Sequence, residues 1–152
     1  MKLRDLLHED RVFPKMSFQT KDEVMQFMLH KLEQGYPEGA ITQLHDSVYI
    51  RESLMSTGVG HGFAIPHGKT WVTNEDIEAA IVTLEEPVDW NSLDGQPVSI
   101  VIMFIGSNKK QSLFLKALAH ISYLMHDEKI RTRILDVKTV GQILDVFVSE
   151  EP

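Results

Sequence analysis

The chain has 152 residues, enough for one domain that buries roughly 70% of its unfolded surface without staples. It has no cysteine, which excludes disulfides, thiolate chemistry and cysteine-ligated metals, and its formal net charge of -7 argues against nucleic acid as a partner. No apolar run approaches the ~20 residues of a membrane span; the longest, "VSIVIMFIG", is strand-length, and the charged opening "MKLRDLLHEDRVF" lacks a signal-peptide core.

Thr20-Lys21-Asp22-Glu23 has the form of a capping box. Val24, Met25, Phe27, Met28 and Leu32 follow at helical spacing until Gly35 and Pro37, which predicts a helix from Lys21 to Glu33. A second helix is predicted over Ile41 to Leu54, with Ile41, Leu44, Val48 and Leu54 inward and Arg51 and Glu52 near its end. Gly62 to Pro66 is read as extended, because a residue before proline avoids the α region. Ile77 to Glu85 and Pro97 to Gly106 read as strands, the second apolar on both faces and therefore central. Leu113, Leu115, Leu118, Ile121 and Leu124 with Met125 predict a helix over Gln111 to Met125. Two short helices follow, Asp127 to Leu135 and Thr139 to Phe147, the latter opening on a second capping pair, Thr139 and Gln142. The order helix, helix, strands, helices predicts one mixed α/β layer structure with no internal boundary.

Residues 58–70, "GVGHGFAIPHGKT", concentrate the unusual chemistry. A phosphate-cradling P-loop needs a glycine where Phe63 stands, and Pro66 removes an N–H from a loop that works by presenting N–H groups. Gly58, Gly60 and Gly62 have the wrong spacing for a dinucleotide fingerprint. The third reading is a nucleophile at the end of a short strand. Pro66 fixes the backbone direction into His67, and Gly68 offers no Cβ to crowd an approaching group. A neutral imidazole attacks phosphorus readily, and glycine backbone with an arginine suits the phosphoryl oxygens. Against this stands the plain alternative that His67 is one of seven histidines, most of them surface or structural by type.

"RESLMSTGVGHGFAIPHGK", Arg51 to Lys69, closely resembles the signature of the mannitol/fructose-type enzyme IIA domains of the bacterial sugar phosphotransferase system. Thr57, Gly58, Gly60, Gly62, Ala64, Ile65, Pro66, His67 and Gly68 stand in register, and the order of the later segments follows the family across essentially the whole chain. The resemblance implies a single α/β domain over residues 1–152, with a mixed, mostly parallel sheet and helices on both faces; no IIB or IIC domain is expected to be fused within this chain. It implies that His67 accepts a phosphoryl group from phospho-HPr and passes it to a cysteine of enzyme IIB, which feeds a membrane IIC permease. Arg51 matches the family's phosphate-stabilising arginine; Thr57, Gly58, Gly60, His61 and Gly68 fall in the phosphate loop. The implied protein is cytoplasmic, needs no nucleotide, metal or other cofactor, and neither enters the membrane nor binds nucleic acid.

Two positions depart from the family pattern. His61 stands where many members carry asparagine or another polar residue, and is either a phosphate ligand or simply exposed. The family's second histidine, at the start of the helix near the site, falls on Phe114 when counted back without gaps from Asp127. A phenyl ring has no donor for a phosphoryl group, so transfer is expected to be slow. His120, further along that helix, is expected to be structural or exposed. The missing histidine also lends weight to a second function, a phosphorylation-dependent regulatory domain of the nitrogen type.

Overall fold

Two long apolar strands form the spine of the molecule, whose computed structural model describes residues 2–71 and 76–150. Strands β5 (Ile77–Val88) and β6 (Val98–Ser107) pair antiparallel, from Ile77 opposite Gly106 to Val88 opposite Val98. Strand β1 (Val12–Met16) adds in parallel to β5. On the other side of β6 lie β3 (Phe63–Ala64) and β4 (His67–Thr70), both parallel to it and one after the other. Strand β2 (Gly58–Gly60) closes that edge, antiparallel to β3. Three of these five pairings are parallel, so the sheet is mixed and mostly parallel.

The break between β3 and β4 is Pro66, which has no N–H to donate. Its carbonyl still accepts from the Phe104 N–H at 3.0 Å, while the Ile65 N–H turns to the Thr57 carbonyl at 3.2 Å. The ladder therefore continues past the proline and carries His67 into register with Phe104.

Alternation along β6 divides the core. Ile100, Ile102 and Phe104 face one way; Val101, Met103 and Ile105 face the other. Helices α1 (Lys21–Leu32) and α2 (Glu38–Leu54) cover the second face with Met25, Met28, Leu29, Leu44 and Val48. Helices α3 (Gln111–Met125), α4 (Glu128–Asp136) and α5 (Val140–Glu150) cover the first with Phe114, Ile121, Ile134, Ile143 and Phe147.

Both predicted caps form. The Thr20 hydroxyl accepts from the Glu23 N–H at 3.1 Å, and Glu23 reaches back to the Gln19 N–H at 3.1 Å, one residue before the usual place. Thr139 accepts from the Gln142 N–H at 3.2 Å, and Gln142 accepts from the Thr139 N–H at 3.3 Å. One inward expectation is corrected. Leu54 is 77% exposed, because the buried row of α2 is Ala40, Leu44, Val48 and Glu52, and two further residues rotate Leu54 about 200° away from Glu52. Strand β1 was not anticipated. Pro14 argues against a strand unless it is at an edge, which is where β1 lies, with a bulge at Lys15 (φ 54°).

Candidate active site

Strand period places His67 and Lys69 on one face of β4 and Gly68 and Thr70 on the other. The second face meets α2. Ser47 Oγ accepts from the Lys69 N–H at 2.9 Å, Gln43 Oε1 accepts from the Trp71 N–H at 2.7 Å, and the Thr70 hydroxyl donates to the Ala40 carbonyl at 3.1 Å. Side chains of one helix thus occupy donors that the outer edge of β4 leaves open. A Cβ on Gly68 would lie 2.5 Å from Val48 Cγ2 and 2.9 Å from the Val48 backbone nitrogen. The glycine therefore serves the close approach of α2, not open space in front of His67 as its sequence position suggested.

The His67 ring is half-buried and its Nδ1 lies 2.9 Å from the Ile65 carbonyl. A carbonyl only accepts, so Nδ1 carries the proton and donates it, and Nε2 keeps a free lone pair. Burial pushes the His67 pKa below its ordinary value. The Ile65 carbonyl opposes that shift, the Arg51 charge adds to it, Glu52 opposes it, and Lys69 adds to it. The outcome is a neutral, oriented imidazole.

His67 borders a cavity of ≈ 160 Å³ that Arg51 and Thr57 also line, with Leu118 and Ser122 contributed by α3. Arg51, in the last turn of α2, donates from Nη1 to the Met55 carbonyl at 2.6 Å. No carboxylate pairs with its guanidinium among the described residues.

Glu52, next in sequence, is buried and fixes the wall behind the cavity. Its Oε2 accepts from the Thr57 N–H at 2.6 Å and lies 3.5 Å from Lys21 Nζ. Its Oε1 accepts from the Thr57 hydroxyl and from Trp90 Nε1 at 3.2 Å. The Thr57 proton is thus committed to Glu52, and Thr57 meets the cavity without a free donor. Gly58 is similarly engaged: its N–H donates to Ser56 Oγ at 3.1 Å and its carbonyl accepts from the Leu93 N–H at 2.9 Å. Gly60 adopts φ 127°, a conformation open to glycine, and turns the chain into the exposed His61. The His61 ring stands edge-on to His126 at 5.5 Å, and the His61 backbone N–H donates to Asp94 Oδ2 at 3.1 Å.

Phe114 lies against His67, their ring centroids 5.8 Å apart, and is 2% exposed. Counting back from Asp127 therefore found the residue that packs on the imidazole. Its edge fills the space over Gly106, where a Cβ would come within 2.4 Å of the ring. His120 does not line the cavity. Sequence reasoning missed Ser122, Lys69 and His126. Phe114, Leu118, Ser122 and His126 recur every four residues, so a single helical row counted from Phe114 was the available signal. Lys69 shares a face with His67 only because residues 67–70 form a strand, so its place at the site follows from the pairing of β4 with β6.

Residues 5–150 match the family model described as phosphoenolpyruvate-dependent sugar phosphotransferase system, EIIA 2. The chain belongs to this family. A fructose-specific EIIABC component of Bacillus subtilis is 32% identical over 148 residues, covering 97% of this chain and 23% of that protein. This EIIA domain thus spans about a quarter of that relative's length. A nitrogen regulatory protein of Bradyrhizobium diazoefficiens is 32% identical over 149 residues, covering 97% of this chain and 95% of that protein. The EIIA fold here also matches the crystal structure of the nitrogen regulatory protein IIA-Ntr of Neisseria meningitidis, with a TM-score of 0.86 and 22% identity over 95% of this chain and 98% of that one. It matches enzyme IIA for mannitol from Escherichia coli, solved in complex with phosphorylated enzyme IIB, with a TM-score of 0.78 and 19% identity over 95% and 100% of the two chains. The fold is thus that of type-2 phosphoryl carriers, shared by sugar-specific and nitrogen regulatory members. Among the described residues no helix is long and apolar enough to cross a membrane.

Proposed function

We propose that this EIIA domain carries a phosphoryl group on Nε2 of His67, taken from phospho-HPr and passed to a cysteine of an enzyme IIB. The observation that carries the reading is the His67 ring itself: Nδ1 tied to the Ile65 carbonyl, leaving Nε2 as the free nucleophile of a ring beside Arg51 and the cavity. Nucleophilic attack needs the neutral ring, and burial favours it.

The transfer balances without any further reactant. The donor histidine, protonated on its second ring nitrogen, loses its N–P bond and leaves as neutral imidazole. Nε2 of His67 forms the new N–P bond and keeps its Nδ1 proton on the Ile65 carbonyl. Arg51 presents a planar fork to the phosphoryl oxygens. In the second step the N–P bond breaks toward an incoming thiolate, and His67 returns to the neutral form. No nucleotide, metal or other cofactor enters either step.

A second reading, phosphorylation-dependent regulation, is favoured by the match to a nitrogen regulatory protein over 95% of its length. One assay separates the two. The protein is incubated with enzyme I, HPr and labelled phosphoenolpyruvate, then with enzyme IIB domains. Label on wild type and none on His67→Gln supports the carrier; drainage of label onto IIB supports sugar uptake. Label that IIB cannot drain supports the regulatory role, and label retained by His67→Gln rejects both.

A further inference from the structure

Beyond the effect of its charge on the His67 ring, Lys69 takes no part in the transfer steps, yet its placement is specific. It shares a strand face with His67, and its backbone is pinned on both sides, by pairing with Gly106 of β6 and by the N–H bond to Ser47. Its ammonium lies 4.9 Å from the centroid of Phe114, the same ring that packs 5.8 Å from His67. The chain holds 22 acidic residues against 15 basic ones, yet among the described residues none of the acidic side chains pairs with Lys69. Lys69 does not line the cavity beside His67. A four-carbon stem on a fixed Cα rests on an aromatic ring, held by an interaction weaker than a charge-assisted bond to a phosphoryl oxygen.

We infer that Lys69 is a phosphoryl-binding residue: its ammonium rests on Phe114 while His67 is free and swings onto the phosphoryl group once His67 carries it. The inference rests on His67 being the phosphoryl acceptor. It explains how a donor-free phenyl ring can stand beside the acceptor, since the donor comes from the strand rather than from α3. Arg51 from α2 and Lys69 from β4 then hold the phosphoryl oxygens as two cations from separate elements, while the Glu52 charge opposes their effect on the ring. No proton moves in the step; the lysine exchanges a ring face for an oxygen anion.

The test compares wild type, Lys69→Gln and Lys69→Arg by single-turnover phosphorylation from phospho-HPr and by ³¹P NMR titration of the phosphorylated protein. Lys69→Gln is expected to accept phosphate about ten- to a hundredfold more slowly, the scale of one charge-assisted hydrogen bond. Its ³¹P signal should titrate at higher pH than in wild type, because a neighbouring cation favours the dianion. Lys69→Arg should recover part of both effects, and all three proteins should melt together. Unchanged rate and unchanged ³¹P titration in Lys69→Gln overturn the inference while leaving His67 in place. A slower rate with an unchanged titration also overturns it, since Lys69 would then act on donor docking. Wild type that takes no phosphate on His67 removes the acceptor itself, and the inference falls with the reading beneath it.

Discussion

His67 gains its neutral form mainly from burial, reinforced by the positive charges of Arg51 and Lys69. In the unfolded chain the ring titrates near 6.5, and in the fold it titrates lower. Between those two values the unfolded state binds more protons, so stability rises with pH there. The contribution is full above about 6.5 and is lost as pH falls through the folded value. ¹H NMR should place the His67 midpoint below 6.5, and Arg51→Gln should raise it, because a cation that disfavours imidazolium has gone. A midpoint at or above 6.5 contradicts the account of the ring. His67→Gln loses the bond to the Ile65 carbonyl and should cost about 1 kcal/mol. It should also lose the His67 share of the acid destabilisation.

At the scale of elements, the site depends on how α2 seats against β4 and the turn before β2. Gly68→Ala drives a methyl into Val48, and the contact at 2.9 Å is to backbone, which a side-chain rotamer cannot relieve. The cost should be about 1–3 kcal/mol, and Val48→Ala in the same chain should recover only part of it. Denaturant melts of the two single variants and the double variant check this; full rescue shows that the backbone contact is harmless. Glu52→Gln removes the charge facing Lys21 and places an amide donor among the Thr57 N–H, the Thr57 hydroxyl and the Trp90 N–H, all of them donors. A loss of about 1–3 kcal/mol is expected, with slower phosphate acceptance because Thr57, which lines the cavity, loses its support. Unchanged stability shows that the Glu52 network is slack.

Which elements could be read in advance follows from their chemistry. Helices α1 and α3 announce themselves by apolar spacing, α1 with its cap, and β6 by a short apolar run rich in the β-branched residues Val and Ile. Strand β4 could not be read, because "HGKT" has little intrinsic strand character; the edge of β6 and the side chains of α2 make it one. The same holds at the site. His67 and Arg51 were legible through the motif that contains both, and Phe114 through the register of its helix. Ser122 and His126 lie on the row that starts at Phe114, but that the row meets the glycine loop depends on the packing of α3 on the sheet, which local sequence does not encode.

Across the whole molecule, the sheet brings the end of α2, the strand after Pro66 and the inner row of α3 to one place, and His67 is where they meet. Phosphoryl carriage as proposed rests on one atom, Nε2 of His67. Long-range ¹H–¹⁵N correlation of the protein after phosphorylation by phospho-HPr identifies the nitrogen that bears phosphorus. The expected spectrum shows phosphorus on Nε2 of His67 and a protonated Nδ1, with the other histidines unchanged. Phosphorus on Nδ1 contradicts the bond to the Ile65 carbonyl as the feature that sets up the nucleophile, and phosphorus on His61, His120 or His126 contradicts the site itself.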